Sequence, residues 1–445
     1  MYNFLFFNMW TMEHVREAGI ARSAFLKGAL TLAGLVLAAA LLMSSVSAEV
    51  IDPGPLPIVA YCAPPHGYTT TDTYRDMVEA GFTHSVVAAP AFPDYEAIDR
   101  VLSVADEVGM KVFINLPSIE TEPEAVADRY QDHPALAGYF VRDEPSARDF
   151  PALKSTVERL QSVDATHPCY INLFPNYASQ KQLGTTTYRE HVDRFVAEVP
   201  VPLLSFDHYP VQDYQVRAGW YENLEIISQK ARDKHIPFWA FALVSTHWSY
   251  YPATLAQLRL QMYSNLAYGA QGLQYFPYWA PNAAHTHTCV DPEGNRGGMY
   301  DRVKQLNIEL HHLSGVFHGA QVLSVGHTLG NPSDVLPSMT SPHVPTSPVM
   351  RIETKGRTGA IVSRLVNQSR YYVVIVNRDY AHVLMCSVDL DGTEAVGRVL
   401  KDGSIEPVTD RITEREIDPG DILILSWIDG ESSARDVSVS QRPGE

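Results

Sequence analysis

Two adjacent carboxylates, Asp143 and Glu144, follow a short apolar run in the segment GYFVRDEPS at residues 138–146. The next residue is a proline, so the pair stands where a strand would give way to a loop. A carboxyl group held at such a point is partly shielded from water, which raises its pKa and suits it to general acid catalysis. Glu144 is therefore the candidate general acid. The alternative is that the pair caps the N-terminus of a following helix, where negative charge is favourable.

Other apolar runs end in the same kinds of residue. One closes at Asn172, another runs into FDHYP at 206–210, and tyrosine or tryptophan follows two more. Polar groups bind sugar hydroxyls, while aromatic rings stack on the apolar faces of pyranoses. We therefore expect a sugar site whose substrate-binding residues, besides the acid, are Asp143, Asn172, His208, Tyr209, Trp248, Tyr275 and Trp279.

Hydrolysis of a glycosidic bond needs a second carboxylate, which acts as a nucleophile or as a base for water. Asp207 is the acidic residue that directly follows another apolar run, so it is the predicted catalytic partner of Glu144. The alternative is a structural role for Asp207 as a hydrogen-bond acceptor. Retaining and inverting chemistry both stay open, because they differ in the distance between the two carboxyl groups.

The elements that must position these residues alternate regularly from residue 57 onward. Eight apolar runs, typical of buried parallel strands, alternate with amphipathic stretches typical of helices. The strands are predicted at residues 58–62, 84–88, 111–116, 138–141, 169–173, 203–206, 238–243 and 272–276. The helices are predicted at residues 71–80, 95–108, 150–163, 188–199, 220–234, 254–268 and 301–313. This order predicts a (β/α)8 TIM barrel over residues 57–325. A doubly wound sheet would need a glycine-rich turn after its first strand, where this chain has APPHG.

The composition and the hydrophobic pattern of the sequence change after the predicted barrel. Residues 331–348 are rich in Pro, Ser and Thr and predict a linker or long loop. Residues 349–428 alternate as short strands separated by Asp-Gly and Pro-Gly turns, which predicts an antiparallel β-sandwich. The polar residues 429–445 predict a tail. The expected fold class is therefore α/β, a TIM barrel followed by a small C-terminal antiparallel β-sandwich.

Composition limits the function classes. The 445-residue chain is 45% hydrophobic, as expected for a globular protein with a large core, and its formal net charge is −17. No block of Lys or Arg occurs, so we expect no nucleic-acid partner. The signatures GxSxG, HExxH and the P-loop are absent from the sequence, which disfavours esterases, zinc proteases and NTPases. The run HTHTC at residues 285–289 fits no standard zinc spacing. We predict neither a metal nor a cofactor.

The N-terminal 48 residues are predicted to be a signal peptide. Three basic residues precede an uncharged run at 28–43, and small residues at 46–48 offer a cleavage site before Glu49. We expect an exported protein, periplasmic or secreted, with no stable membrane insertion after signal removal. A retained membrane anchor is the alternative, because the run is near the shortest length that spans a bilayer. The four cysteines, Cys62, Cys169, Cys289 and Cys386, are compatible with one disulfide or with buried free thiols.

Three segments resemble the clan-A (β/α)8 glycoside hydrolases, in particular the β-galactosidase-like branch. They are GYFVRDEP at 138–145, FDHYP at 206–210 and GAQGLQYFPYW at 269–279. The C-terminal segments VVIVNRD at 373–379 and IDPGD at 417–421 resemble the β-sandwich that often follows such barrels. The resemblance covers about residues 57–321. It implies that Glu144 is the acid/base at the end of strand 4 and that Trp279 lines the subsite of the cleaved sugar.

Two positions depart from the clan pattern. Asp143 stands where the clan has Asn before its acid/base. The segment FWAFALVSTHW at 238–248 has no acidic residue, although the clan carries its nucleophilic Glu at the end of strand 7. We predict an exo-acting, β-galactosidase-like glycoside hydrolase that cleaves an oligosaccharide or polysaccharide of plant or microbial origin. The alternatives are a catalytically inactive carbohydrate-binding barrel and a barrel hydrolase or lyase acting on a non-sugar substrate.

Overall fold

The computed structural model describes residues 56–87, 91–410 and 412–430. The predicted signal peptide and residues 431–445 of the predicted tail lie outside the described residues. Within the described residues, no helix is both long enough and apolar enough to cross a membrane. The four cysteines are free thiols, and three of them are buried.

Eight parallel strands form a closed barrel, in the spatial order β1-β10-β9-β6-β5-β4-β3-β2. The strands are β1 (Ile58–Tyr61), β2 (His84–Val86), β3 (Lys111–Ile114), β4 (Leu136–Asp143), β5 (Cys169–Leu173), β6 (Leu204–Phe206), β9 (Phe238–Leu243) and β10 (Gly272–Phe276). A short hairpin, β7 (Val211–Gln212) and β8 (Gln215–Val216), lies in the loop after β6. The barrel therefore has β9 as its seventh strand and β10 as its eighth.

Helices follow the barrel strands, and most of their boundaries agree with the hydrophobic periodicity. Side-chain caps fix several starts; Asp94, for example, accepts a hydrogen bond from the backbone N–H of Ala97. The helices are α1 (Thr71–Glu79), α2 (Tyr95–Val108), α3 (Ser118–Thr121), α4 (Pro123–Tyr130), α5 (Phe150–Val163), α6 (Gln180–Leu183), α7 (Tyr188–Glu198), α8 (Trp220–Lys234), α9 (Leu255–Ala267), α10 (Tyr300–His312) and α11 (Ser314–Phe317).

Alternation along the strands separates two buried layers. One set of side chains fills the barrel interior and is largely aromatic, including Phe113, Phe140, Tyr170 and Trp239. The other set points to the helices and forms the larger core. Because successive residues of a strand face opposite layers, the position within each strand decides which side chains reach the barrel mouth.

The C-terminal region forms two antiparallel sheets. The larger has the order β11-β13-β14-β19-β16-β17 and the smaller β12-β15-β18. Their strands are β11 (Gln321–His327), β12 (Val349–Lys355), β13 (Ala360–Asn367), β14 (Arg370–Asn377), β15 (Leu384–Leu390), β16 (Gly397–Val399), β17 (Ile405–Pro407), β18 (Ile412–Ile417) and β19 (Ile422–Ile428). A second apolar core, which includes Trp427, fills the space between the sheets. The predicted fold class, a TIM barrel followed by a β-sandwich, is confirmed.

The sandwich begins earlier than the sequence pattern predicted. Strand β11 pairs with β13 of the larger sheet, although its first five residues lie within the predicted barrel range that ends at 325. The side chains of β11 are mostly exposed or half-buried, so its hydrophobic pattern is weak and the strand was not predicted. Residues 331–348 form an irregular segment that joins β11 to β12.

A buried ionic cluster joins the sandwich to the barrel. Glu309 on α10 accepts hydrogen bonds from Arg259 on α9 and, at 3.2 Å, from Lys401 of the sandwich. Lys401 also pairs with Asp421, and Arg259 lies 3.4 Å from the same carboxylate. Because breaking a buried ion pair leaves an uncompensated charge, this cluster fixes the sandwich against α9 and α10.

Candidate active site

The site begins where β4 and β5 end side by side. Asp143 is the last residue of β4 and pairs in register with Asn172 of β5. The side-chain amide of Asn172 donates a hydrogen bond to Asp143, with Nδ2 3.0 Å from Oδ1. The backbone N–H of Glu144 donates to the carbonyl oxygen of Asn172 at 2.8 Å. Both carboxylates are thus attached to the end of a rigid sheet.

Glu144 adopts a left-handed backbone conformation, with φ of 44°. This region is unfavourable for a residue with a side chain, and strained residues of this kind cluster at functional sites. The helix that follows, α5, begins only at Phe150, after Asp149. Asp149 accepts the backbone N–H of Ser146 at 2.9 Å. The alternative that Asp143 and Glu144 cap the next helix is therefore wrong.

Asp207 follows β6 and reaches the same site from the neighbouring side of the barrel. Its Oδ1 atom is buried and has no hydrogen-bond partner among the described residues. Burial, followed by repulsion from Glu144 and Asp143, raises the pKa of Asp207 well above its ordinary value. An uncompensated buried oxygen of this kind is costly for stability, which favours a functional role over a purely structural one.

The pKa values of the other two carboxyl groups are also raised. Burial, and then repulsion from Asp143, raises the pKa of Glu144 to about 7. Burial raises the pKa of Asp143, while hydrogen bonds from Asn172 and Tyr61 oppose the rise. Asp143 lines the cavity, so its side chain is in contact with water although protein atoms surround it on the other sides. Three carboxyl groups in one recess cannot all be ionised cheaply, so the group retains protons near neutral pH.

A chain of hydrogen bonds inside the barrel supports Asp143 from below. Ser205 Oγ lies 2.9 Å from Asn172 Oδ1, to which it donates. Gln274 Nε2 donates to Ser205 Oγ at 2.9 Å, and Tyr170 donates to Gln274 Oε1 at 2.7 Å. Because Asn172 is held at its oxygen, its amide nitrogen is oriented toward Asp143.

The carboxyl groups open into a cavity of about 420 Å³ at the C-terminal end of the barrel strands. That volume lies within the range of about 300–1,000 Å³ that is usual for small-molecule sites. Its walls combine acidic, amide and aromatic side chains with one arginine. The lining residues are Tyr61, Asp143, Glu144, Asn172, Tyr177, Gln182, Asp207, Tyr209, Gln212, Arg217, Phe241, His247, Trp248, Ser249, Tyr250, Phe276 and His285.

Comparison with solved structures places this architecture among known folds. A glycoside hydrolase structure aligns over 85% of this chain and 94% of its own, with 11% identity and a TM-score of 0.54. A family 5 glycoside hydrolase from Bacteroides vulgatus aligns over 84% and 90%, with 11% identity and a TM-score of 0.53. The chain therefore shares the barrel fold of these glycoside hydrolase structures. A catalytic mutant of a GH42 β-galactosidase from G. stearothermophilus aligns over 84% and 98%, with 10% identity and a TM-score of 0.54.

Sequence comparison adds no relative to this fold assignment. No protein-family model matches the sequence. No curated protein matches it either. The identities of 10–11% to the solved clan-A structures establish the fold, whereas the chemistry must be argued from the site itself.

The barrel brings six of the predicted site residues together and leaves three outside the cavity. Glu144, Asp207, Asp143, Asn172, Tyr209 and Trp248 line the cavity. Tyr275, Trp279 and His208 do not.

Tyr275 lies on the outer face of β10. It is fully buried, and its ring packs edge-on against Phe82 at 5.5 Å. Its strand neighbour Gln274 points into the barrel and joins the hydrogen-bond chain. The prediction that Tyr275 binds substrate is therefore wrong, because the two-residue alternation of β10 turns this side chain toward the helices.

Trp279 and His208 lie behind the cavity wall. Trp279 is 3% exposed and packs against Tyr68, with ring centroids 4.9 Å apart. The aromatic residue of the eighth barrel strand that lines the cavity is Phe276, whose ring stacks on Tyr209 at 5.8 Å. His208 is 2% exposed and bonds Asn223 through Nδ1, so it supports the wall without reaching the cavity.

The loop that follows the seventh barrel strand brings a histidine, and no acidic residue, into the cavity. His247 lines the cavity, and its Nδ1 lies 2.9 Å from Ser245 Oγ. Burial and the neighbouring His285, whose ring is 4.7 Å away, lower the pKa of His247 to about 4. A neutral imidazole there can exchange hydrogen bonds with a ligand but cannot replace a carboxylate nucleophile.

Sequence reasoning missed the cavity residues that come from long loops. Tyr177, Arg217 and Tyr250 stand several residues beyond the strands that precede them, so the rule of strand ends did not select them. Arg217 was detectable in principle as the only Lys or Arg between β6 and α8. Within the described part of the chain, no cluster of three or more His, Cys, Asp or Glu side chains could hold a metal ion.

Proposed function

We propose that this protein is a glycoside hydrolase and that Glu144 and Asp207 are its catalytic pair. The observation that carries the proposal is the meeting of Asp143, Glu144 and Asp207 in one cavity at the C-terminal mouth of the barrel. Glycoside hydrolysis requires a pair of carboxyl groups, of which the general acid has a raised pKa. The clan-A fold supports the same chemistry by analogy.

Glu144 is assigned as the general acid. A pKa of about 7 leaves it partly protonated near neutral pH, where a general acid works best. Asp207 is a hydrogen-bonding neighbour of Glu144, so the pair holds a proton between its two carboxyl groups. With the proton on Glu144, Asp207 is the ionised member. The proton passes to the glycosidic oxygen as its bond to the anomeric carbon breaks, and Glu144 is then ionised as well. Asp207 then attacks the anomeric carbon or deprotonates the water that does so.

Asp143, Asn172, Tyr209 and Trp248 are proposed to bind the sugar. The first three present oxygen or nitrogen atoms to the cavity, and Trp248 is 93% exposed at its rim. An exposed indole at the edge of a polar cavity suits stacking on a pyranose face. The recessed cavity supports exo-action, and the sequence resemblance supports a β-galactoside as the substrate.

A panel of aryl glycosides tests the proposal. Release of nitrophenol by the wild type identifies the sugar, and Asp207→Asn should reduce the rate by at least a hundredfold, in line with the loss of a catalytic base or nucleophile. Addition of azide to Asp207→Asn distinguishes two mechanisms. Rescue to a glycosyl azide supports a nucleophilic Asp207, while a lack of rescue supports a base that activates water.

An inactive carbohydrate-binding protein is the second candidate function. The observation that favours it is His247, a neutral side chain where the clan pattern has its nucleophile. This candidate predicts that sugars raise the Tm of the wild type while every aryl glycoside remains intact. If the wild type cleaves any glycoside and Glu144→Gln does not, the inactive binding protein is excluded.

Export is also proposed, on the uncharged run at residues 28–43 and the small residues before Glu49. N-terminal sequencing of the protein recovered from the periplasm or medium tests it. A mature chain that begins at Glu49 supports cleavage, whereas an intact N-terminus in a membrane fraction supports the retained anchor.

A further inference from the structure

Among the described residues, Arg217 is the only Lys or Arg side chain that lines the cavity. It comes from the loop that carries the β7–β8 hairpin, three residues before α8 begins at Trp220. Its backbone N–H donates to the carbonyl oxygen of Pro210 at 2.8 Å, which closes the base of this loop. The guanidinium is therefore held in the cavity wall by a structured loop.

Within the described residues, no carboxylate lies within ion-pair distance of Arg217, whereas most other arginines of the barrel are paired. Its Nη2 atom donates to the hydroxyl of Tyr250 at 3.0 Å. Its Nε atom is buried and has no hydrogen-bond partner in the part of the chain that the structure describes.

Two rings fix the plane of this group. The guanidinium carbon lies 4.2 Å from the centroid of Tyr177 and 5.9 Å from that of Tyr250. Stacking on Tyr177 leaves the edge of the guanidinium, where its N–H donors point, available to a ligand. A planar, pre-oriented set of donors matches the two oxygens of a carboxylate or of a sulfate ester.

We propose that Arg217 binds an anionic group of the substrate, so that the substrate is an acidic glycan carrying a carboxylate or a sulfate ester. This inference rests on the proposed glycosidase function for its kinetic test, although binding tests it separately. Arg217 is half-buried, and its buried Nε atom lacks a hydrogen-bond acceptor, which is unfavourable. An incoming oxyanion would neutralise the guanidinium charge and accept its free hydrogen bonds. The same cation would offset the repulsion that Asp143, Glu144 and Asp207 exert on an acidic sugar.

The kinetic test compares nitrophenyl β-glucuronide, β-galacturonide and 6-sulfated β-galactoside with the neutral β-galactoside and β-glucoside. We expect the wild type to prefer one acidic substrate, and the identity of that substrate separates carboxylate from sulfate. Arg217→Gln should lower kcat/KM for the preferred acidic substrate by about ten- to a hundredfold. Its effect on neutral substrates should be much smaller.

Arg142→Gln is the matched control. Arg142 lies at the same end of the barrel and loses the same charge on substitution, but it is paired with Glu120 at 2.5 Å outside the cavity. The preference for acidic substrates should persist in this variant. An equal loss on acidic and neutral substrates in Arg217→Gln, or a wild-type preference for neutral sugars, would overturn the proposal. If Arg217→Gln does not fold, Arg217→Lys keeps the charge without the planar donors and should show a partial loss of the preference.

Binding separates this inference from the proposed function. Glucuronate, galacturonate and galactose 6-sulfate are added to the wild type, and the Tm is compared with that in galactose or glucose. A rise in Tm with an acidic sugar that disappears in Arg217→Gln supports the inference even if no glycoside is cleaved. No rise with any acidic sugar overturns it, even if a neutral glycoside is hydrolysed.

Discussion

Asn172 and Asp143 end neighbouring barrel strands in register, and the amide of Asn172 donates to the carboxylate of Asp143 at 3.0 Å. The carbonyl oxygen of Asn172 also accepts the backbone N–H of Glu144 at 2.8 Å. One residue thus holds the side chain of Asp143 and the backbone of Glu144. Its own orientation is set by Ser205, which donates to its side-chain oxygen. The precision of the site comes from the sheet and from these buried polar groups rather than from the loops.

Asn172→Ala should therefore reduce activity without removing a catalytic group. Asp143 loses a hydrogen bond that favours its ionised form, so its pKa should rise further. We expect kcat/KM to fall by about ten- to a hundredfold, as for loss of a hydrogen bond to a charged group. Ser205→Ala is the comparison, because it removes the bond that orients Asn172 but keeps the amide that donates to Asp143, so its loss of activity should be smaller. An equal loss of activity in the two variants would contradict a direct role for the bond from Asn172 to Asp143.

Glu144→Gln should be nearly inactive on natural glycosides. The amide keeps the size of the side chain but cannot deliver a proton, and general acid catalysis contributes about 10²–10⁴-fold. The loss should be smaller on nitrophenyl glycosides, whose leaving groups need little protonation. Steady-state rates on a series of leaving groups measure this difference. A loss that is independent of the leaving group would show that Glu144 is not the acid, and Glu120→Gln supplies a control carboxyl outside the cavity.

Most of the fold followed from the sequence because the barrel pattern is strong. Strands β9 and β10 and helices α2, α5 and α8 have the predicted boundaries, since each is a long apolar or amphipathic segment with clear turn residues at its ends. Strand β11 was missed because its side chains are largely exposed and its pairing with β13 depends on residues about 40 positions away. Such non-local pairing is not encoded in a local pattern.

The site was predictable only where it follows strand ends. Asp143, Asn172 and Asp207 stand at or just after strands, so the alternation of strand and helix was enough to bring them together. The prediction for Tyr275 was wrong because a shift of one residue along a strand reverses the direction of the side chain. Arg217 and Tyr177 were not predicted as site residues. Whether they reach the cavity depends on the conformation of their loops, which does not follow from periodicity.

Tyr275→Phe tests the revised position of Tyr275. Its hydroxyl is buried and has no hydrogen-bond partner among the described residues. Removal of an unsatisfied polar atom should leave the free energy of unfolding unchanged or raise it by up to about 1 kcal/mol. Chemical denaturation measures stability, and KM should stay that of the wild type. A large rise in KM would place the tyrosine in the binding site after all.

Two substitutions of Trp248 distinguish the effect of its backbone strain from the effect of ring stacking on the substrate. It is exposed, and its φ of 48° is unfavourable for any residue but glycine. Trp248→Gly and Trp248→Ala should raise KM equally, by about tenfold, because both remove the ring. Trp248→Gly should be more stable than Trp248→Ala by about 1 kcal/mol, because only glycine tolerates this backbone conformation. Unequal KM values would mean that the backbone, not the ring, controls binding.

The raised pKa of Glu144 should appear in both activity and stability. Burial and repulsion from Asp143 raise the pKa from 4.5 to about 7, so the folded protein holds a proton that the unfolded chain has lost within this range. The free energy of unfolding should therefore fall as the pH rises from about 4.5 to about 7 and level off above it. Partial exposure limits the change to the order of 1–2 kcal/mol.

Activity should decline above pH 7, where the acid loses its proton. Asp143→Asn, which restores the residue expected from the clan pattern, removes the repulsion from Asp143 and should move this decline to lower pH. Glu144→Gln should lack the stability change between pH 4.5 and 7, whereas Glu120→Gln should retain it. Rate profiles from pH 4 to 9 and denaturation curves at the same values provide both measurements. A decline at the same pH in wild type and Asp143→Asn would show that the titrating group does not feel the charge of Asp143, which would exclude Glu144.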